Sequence, residues 1–208
     1  MAKVKVTKKE ADRLMKLSGT TRGIVLKTLG KYILNKKGKS GLEMVEERLK
    51  ELGYSLKFEE VFSFGWHSAG LATLAFLVTF EIFNWDEKKA LEIGYNNLIN
   101  SRIAKLMLGH FVSAKEITQI TSKVWHTYSN IGEVKWIKYD IKEKNSSLHH
   151  SVLRLSGFEK LHPIVYLYVN GFLKRLAEIV TQSKNLKVEL TKCILNGDPY
   201  DEFKFTWK

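Results

Sequence analysis

The sequence predicts an α+β fold, a helical N-terminal half packed on a four-stranded antiparallel sheet with strand-strand-helix-strand-strand order. Three observations carry that reading. Three capping boxes, Thr7-x-x-Glu10, Ser40-x-x-Glu43 and Ser113-x-x-Glu116, each set a hydroxyl at an N-cap and a carboxylate three residues on. After Gly132 the pattern changes to alternation with period two. Near the end, Asn196-Gly197 stands between two apolar runs, which is hairpin chemistry.

The elements follow in order. A short basic helix is expected over 8–18. A second helix covers 22–36 with Ile24, Leu26, Leu29, Ile33 and Leu34 near helical spacing, and Asn35-Lys-Lys-Gly38 ends it. A third, 41–52, carries a narrow stripe of Leu42, Val45, Leu49 and Leu52 and stops at Gly53. A long helix over 67–83 is apolar nearly all round, so it is central. Helices at 87–98 and 101–110 come next, then one opened by Ser113. Residues 133–142 and 148–155 form strands around a turn at 144–147. Pro163 opens a helix that runs to about Gln182. Strands at 186–195 and 202–207 close the chain. The expected organisation is a basic N-terminal helix or arm, 1–21, and a single ligand-binding domain, 22–208.

Composition narrows the function classes. The chain has 208 residues, enough to bury a core, with 44% hydrophobic and 27% charged residues. The single cysteine, Cys193, excludes an internal disulfide and a multi-cysteine zinc site, and fits a cytoplasmic location. The first ten residues lack the apolar core of a secretory signal. Val61–Phe80 holds no charged residue but several Ser, Gly and Thr, so it reads as a loop and a core helix, not a membrane span. The net charge of +12 is uneven. Residues 1–50 carry 14 Lys/Arg against 5 Asp/Glu, residues 51–100 carry 3 against 7, and the remainder 17 against 10. A basic first segment suits nucleic acid, anionic lipid or an acidic partner. Without an arginine cluster or a base-reading helix, a solvated lysine surface is the preferred reading, and nucleic acid an alternative.

Several segments resemble a known superfamily. Arg22-Gly-Ile-Val-Leu-Lys-Thr-Leu-Gly-Lys-Tyr-Ile33 followed by Gly41 to Tyr54 is similar to the opening helix pair of haem-NO-binding domains. Trp85-Asp-Glu-Lys-Lys-Ala-Leu-Glu-Ile-Gly94 is similar to the helix that follows in them. Val188 to Cys193 with Gly197-Asp-Pro-Tyr-Asp-Glu-Phe-Lys-Phe-Thr-Trp207 looks like the closing hairpin of 4-vinyl-reductase-like domains. The resemblance spans about 22–208 and takes in transport-protein-particle (TRAPP) subunits. It implies ligand sensing: prokaryotic relatives hold small aromatic or hydrophobic ligands, or haem, between helices and sheet. A signal would then pass to a partner protein or through a homodimer.

The candidate site is an apolar, aromatic-lined pocket between sheet and helices. Its expected ligand-binding residues are Trp66, His67, Phe76, Trp125, His126, Trp136, Tyr166 and Phe172, with Phe64, Tyr139, Tyr168 and His162 as further members. The ligand class is a small hydrophobic or aromatic molecule. No enzyme is expected, because no nucleophile elbow, zincin pattern or phosphate loop occurs. His149-His150 lies on a strand, where neighbours point to opposite faces. The resemblance also implies metal near the closing hairpin, but Cys193 stands with only Glu189 and Asp201, so no metal is expected. Haem is the alternative. His126 lies roughly where haem-NO-binding domains carry their proximal histidine, and His110 is a second option. The family's propionate-binding Tyr-x-Ser-x-Arg is missing, the nearest text being Tyr128-Ser-Asn-Ile-Gly132, so no cofactor is expected and haem-based gas sensing, like a dimerising assembly module, stays a second reading.

Overall fold

The computed structural model describes residues 3–100, 121–123, 125–142, 147–183 and 185–208, without the side chains of 97–100, 139–140 and 180. The chain forms two compact units, Met1–Glu87 with Thr127–Ile131, and Lys88–His126 with Gly132–Lys208. The sequence boundary after residue 21 is not where this division falls. The expected N-terminal arm is part of the first unit: Ala11 and Leu14 of its helix are fully buried, and a Cβ on Gly70 would lie 2.1 Å from the Leu14 carbonyl oxygen.

In the first unit α1 is Lys8–Met15, capped by Thr7, whose hydroxyl accepts the Glu10 amide at 3.2 Å. The three-residue strands β1 (Thr20–Arg22) and β2 (Trp66–Ser68) pair antiparallel. Between them lie the two helices expected at 22–36 and 41–52, labelled together α2, Ile24–Glu51, and separated at Gly38. Gly38 kinks it, with φ 71° and ψ −172°. That left-handed φ suits glycine, and the chain resumes its helix directly beyond it. Helix α3, Ala69–Phe83, is opened by Ser68 and closed by Asn84 in the left-handed region. Its Leu74, Ala75, Leu77 and Val78 are fully buried, as an apolar helix in a core should be. Arg48 of α2 ties the unit together, donating to Glu81 of α3 at 3.3 Å and to the Val6 carbonyl at 3.0 Å. The buried Glu46 carboxylate is satisfied by the Phe58 amide at 3.0 Å and the Lys57 ammonium at 2.6 Å.

The second unit opens with α4, Glu87–Asn100, whose first residue belongs to the first unit. Its sheet contains β3 (Glu133–Lys142), β4 (His149–Ser156), β5 (Lys187–Lys192) and β6 (Asp201–Trp207), in the order β3-β4-β6-β5 with every pair antiparallel. Helix α5, Pro163–Thr181, joins the two halves of the sheet. The expected fold class therefore holds. The last strand is central, between β4 and β5. Its alternate residues Asp201, Phe203, Phe205 and Trp207 are buried and face one side. Leu153 and Leu155 of β4, Val134 of β3, and Leu173 and Ala177 of α5 complete that core. The hairpin turn is longer than two residues. A 3-10 turn at Ile194–Asn196 comes first, and Gly197 at φ 96° then redirects the chain. The helices expected at 101–110 and from Ser113, and most of the turn at 144–147, lie outside the described residues; the end of the Ser113 helix, 125–128, is helical.

Candidate functional site: an aromatic wall on the sheet

Period-two strands place one side chain in two on the core face. On β3 that face carries Val134 and then Trp136, and on β6 it carries Phe205, whose ring centre lies 5.3 Å from that of Trp136. The Trp136 indole N–H donates to Thr121 Oγ1 at 2.9 Å, which fixes the ring. Trp125 sits edge-on to Phe158 at 5.7 Å. From α5, Val169, Phe172 and Leu176 reach the same cluster one helical turn apart. Trp125, Trp136, Phe158 and Phe172 are all half-buried over a core that is closed beneath them. An apolar wall of this kind can hold a flat hydrophobic molecule by area and ring contacts.

The other expected members are placed differently. His126 is exposed, although its neighbour Trp125 joins the wall. Tyr166 braces the start of α5: its hydroxyl accepts the Leu161 amide at 3.4 Å, and burial, with smaller contributions from Asp201 and Cys193, pushes the phenol up to about 12. His162 caps the same helix through Nδ1, 3.2 Å from the Ile164 amide. Trp66, His67 and Phe76 belong to the first unit. Phe76 is core, 4.7 Å from Phe80. Trp66 is 45% exposed with the Arg22 guanidinium 3.8 Å above its ring. The His67 Nε2 atom is sealed from solvent without a hydrogen-bond partner among the described residues, against Gly23 and Gly65. Phe64 is exposed, and the Tyr139 side chain and His110 lie outside the described residues.

Two features were missed in the sequence. Phe158, which follows Gly157 at φ 75°, completes the wall, yet an isolated phenylalanine in a loop gives no periodic signal. His149 stacks on Trp207 at 5.7 Å, so one member of the His149-His150 pair does reach the core cluster. Strand alternation could have assigned it, since His149 shares its parity with Leu153 and Leu155.

At the closing hairpin, the Cys193 and Ile194 amides donate to Asp198 at 2.8 Å and Asp201 at 3.0 Å. Burial raises both Cys193 and Asp201 above their ordinary values. Among the described residues no group of three or more His, Cys, Asp or Glu is arranged to hold a metal ion. Of the two axial ligands suggested for haem, His110 lies outside the described residues. An axial ligand must reach iron in a closed pocket, and His126 is exposed. Arg154 is committed to Glu202 and the Tyr200 ring, and Arg175 to Tyr95 and Glu178, so neither is set to pair propionates. No described helix is long and apolar enough to cross a membrane.

No family model and no curated protein matches the chain. Solved structures do. An H-NOX protein from S. oneidensis in the Fe(II)NO ligation state matches at 15% identity and a TM-score of 0.62, covering 90% of this chain and 99% of that one. An oxygen-binding H-NOX domain related to soluble guanylate cyclases matches at 12% identity and 0.58, covering 90% and 94%. At these identities the likeness is one of fold, and the chain shares the H-NOX fold.

Proposed function

We propose that this chain is a sensor or adaptor module that binds a small hydrophobic or aromatic molecule, and is not an enzyme. One observation carries the reading: four large aromatic rings, Trp125, Trp136, Phe158 and Phe172, are left half-buried over a fully packed sheet. Burying the remainder of such rings is worth roughly 25 cal/mol per Å² of apolar surface, an affinity source that a closed core lacks. The shared H-NOX fold supports a ligand-sensing role, and the signal would pass to a partner protein or a second copy. The single cysteine, buried at Cys193, fits a reducing cytoplasm.

Native mass spectrometry of protein purified from its source tests this, followed by fluorescence titration with the apolar dye 1-anilinonaphthalene-8-sulfonate. Trp136→Ala and Phe172→Ala should each weaken binding about tenfold, the loss of one well-buried aromatic contact. Absence of a retained ligand together with dye binding indifferent to both substitutions would sink the proposal.

Haem-based gas sensing is the second reading, favoured by the Fe(II)NO and oxygen-bound states of the H-NOX neighbours. Of the two axial ligands suggested by the sequence, His126 is exposed, so this reading rests on His110. Titration with haemin separates the readings. A Soret band lost in His110→Ala and kept in His126→Ala supports haem, and no band at all removes it.

A further inference from the structure

We propose that the first unit docks on an anionic lipid surface, with Phe62, Phe64 and Trp66 entering the interface and the lysines of α2 facing the headgroups. Two independent observations meet here. The first is an exposed aromatic loop. Phe62 is 67% exposed and Phe64 62%, and their rings stand edge to face at 6.1 Å. Water-facing rings of this size are costly in a loop with no use for them.

The loop is held rigidly. The Gly23 amide donates to the Gly65 carbonyl at 2.9 Å and the Ile24 amide to the Ser63 carbonyl at 2.9 Å. The Gly65 amide closes a turn on the Phe62 carbonyl at 3.0 Å. Arg22 donates to the Phe64 carbonyl at 2.6 Å while covering the Trp66 ring. A Cβ on Gly23 would lie 2.2 Å from the Phe62 carbonyl oxygen, so backbone packs on backbone there. Ordering the rings before contact removes an entropy cost of docking.

The second observation is charge. Between Asp12 and Glu43 the chain carries eight Lys/Arg and no Asp/Glu. No ion pair among the described residues engages Lys27, Lys31, Lys36 or Lys37. The aromatic loop lies along the Gly23 and Gly30 side of α2, where Gly30 backs onto Phe58. Lys27, Lys31 and the exposed Leu34 follow on the adjoining stripe at i, i+4 and i+7. Aromatic tips beside an uncompensated lysine stripe fit a bilayer interface, where Trp and Phe sit at headgroup depth and lysines meet anionic lipid. A nucleic acid would use the lysines and leave Phe62 and Phe64 without a role. Glu59 and Glu60, exposed at the start of the loop, oppose the attraction, and Lys27, Lys31, Lys36 and Lys37 outnumber them.

The test is co-sedimentation of the full chain with phosphatidylcholine vesicles, with or without about 30 mol% phosphatidylserine. Binding should require phosphatidylserine and be released by about 0.5 M salt. F62S/F64S should lower the partition coefficient at least about tenfold, as should K27E/K31E. Because both rings are exposed, F62S/F64S should keep the parent melting temperature. Absence of vesicle binding, or binding that survives F62S/F64S, overturns the proposal. So does single-stranded DNA that displaces the vesicles and depends on the lysines but not on the rings.

Discussion

Asp201 shows how much one buried carboxyl can govern. It stands on the core face of β6, 3% exposed, where alternation would place an apolar side chain. Its Oδ1 accepts the Ile194 amide at 3.0 Å, so the closing hairpin folds around it. Burial outweighs that bond and raises its pKa above 3.8. A raised folded-state pKa stabilises below the unfolded value and is lost as pH climbs through the folded value. Replacing Asp201 by Asn keeps an acceptor for Ile194 and removes the ionisation. Asp201→Asn should therefore melt higher than the parent at pH 7, with the two converging near pH 4. Thermal melts across pH 3.5–7.5 measure this. A variant less stable at every pH would show that the carboxylate form is what the hairpin needs.

At the scale of elements, α4 and α5 meet through reciprocal glycines. A Cβ on Gly94 would lie 1.9 Å from the Tyr168 carbonyl oxygen, and one on Gly171 2.2 Å from that of Leu91. The obstacles are backbone atoms, which cannot rotate away. Close approach also lets the Tyr95 hydroxyl donate to Glu178 at 2.6 Å, with Arg175 bonded to both. Gly94→Ala and Gly171→Ala should each cost about 1–3 kcal/mol in urea denaturation. Together they should cost less than the sum, since the first already separates the helices. Full additivity would mean the two contacts are independent.

The same elements show what local pattern reveals. Strand β3 was legible to the residue, and Pro163 located the start of α5. The ribbon of β1 and β2 was not, because three residues hold too little alternation and their partners lie more than 40 residues apart. Gly38, by contrast, was legible: it separates the two helical parts of α2 where the sequence places a helix end, and its φ of 71° suits glycine. Of the wall, Trp125, Trp136 and Phe172 were anticipated from aromatic content, but Tyr166, Phe76 and His126 were not separable from them. Which ring faces a core, a cap or solvent depends on contacts that no short window contains.

The whole molecule carries +12, with a sequence pI near 9.6. The excess is concentrated at the two ends of the sequence, while residues 51–100 are net acidic. Like charges held close in the folded chain repel, and the unfolded chain relieves that repulsion by expanding. Salt screens it, since the Debye length falls from about 30 Å at 0.01 M to about 8 Å at 0.15 M. Salt also weakens the exposed charge pairs, such as Lys8 with Asp12 at 2.8 Å, but each of those is worth less than about 1 kcal/mol, and pairs with a largely buried carboxylate, such as Arg48 with Glu81, are screened less. Net repulsion therefore wins. The melting temperature should rise by a few degrees between 0.01 and 0.15 M sodium chloride. Sodium sulfate at matched ionic strength separates screening from anion binding. An equal rise in both salts reports screening of the whole charge, whereas a much larger rise in sulfate would place the effect at specific sites on the basic first unit. A fall in melting temperature with chloride would show that the ion pairs outweigh the net charge.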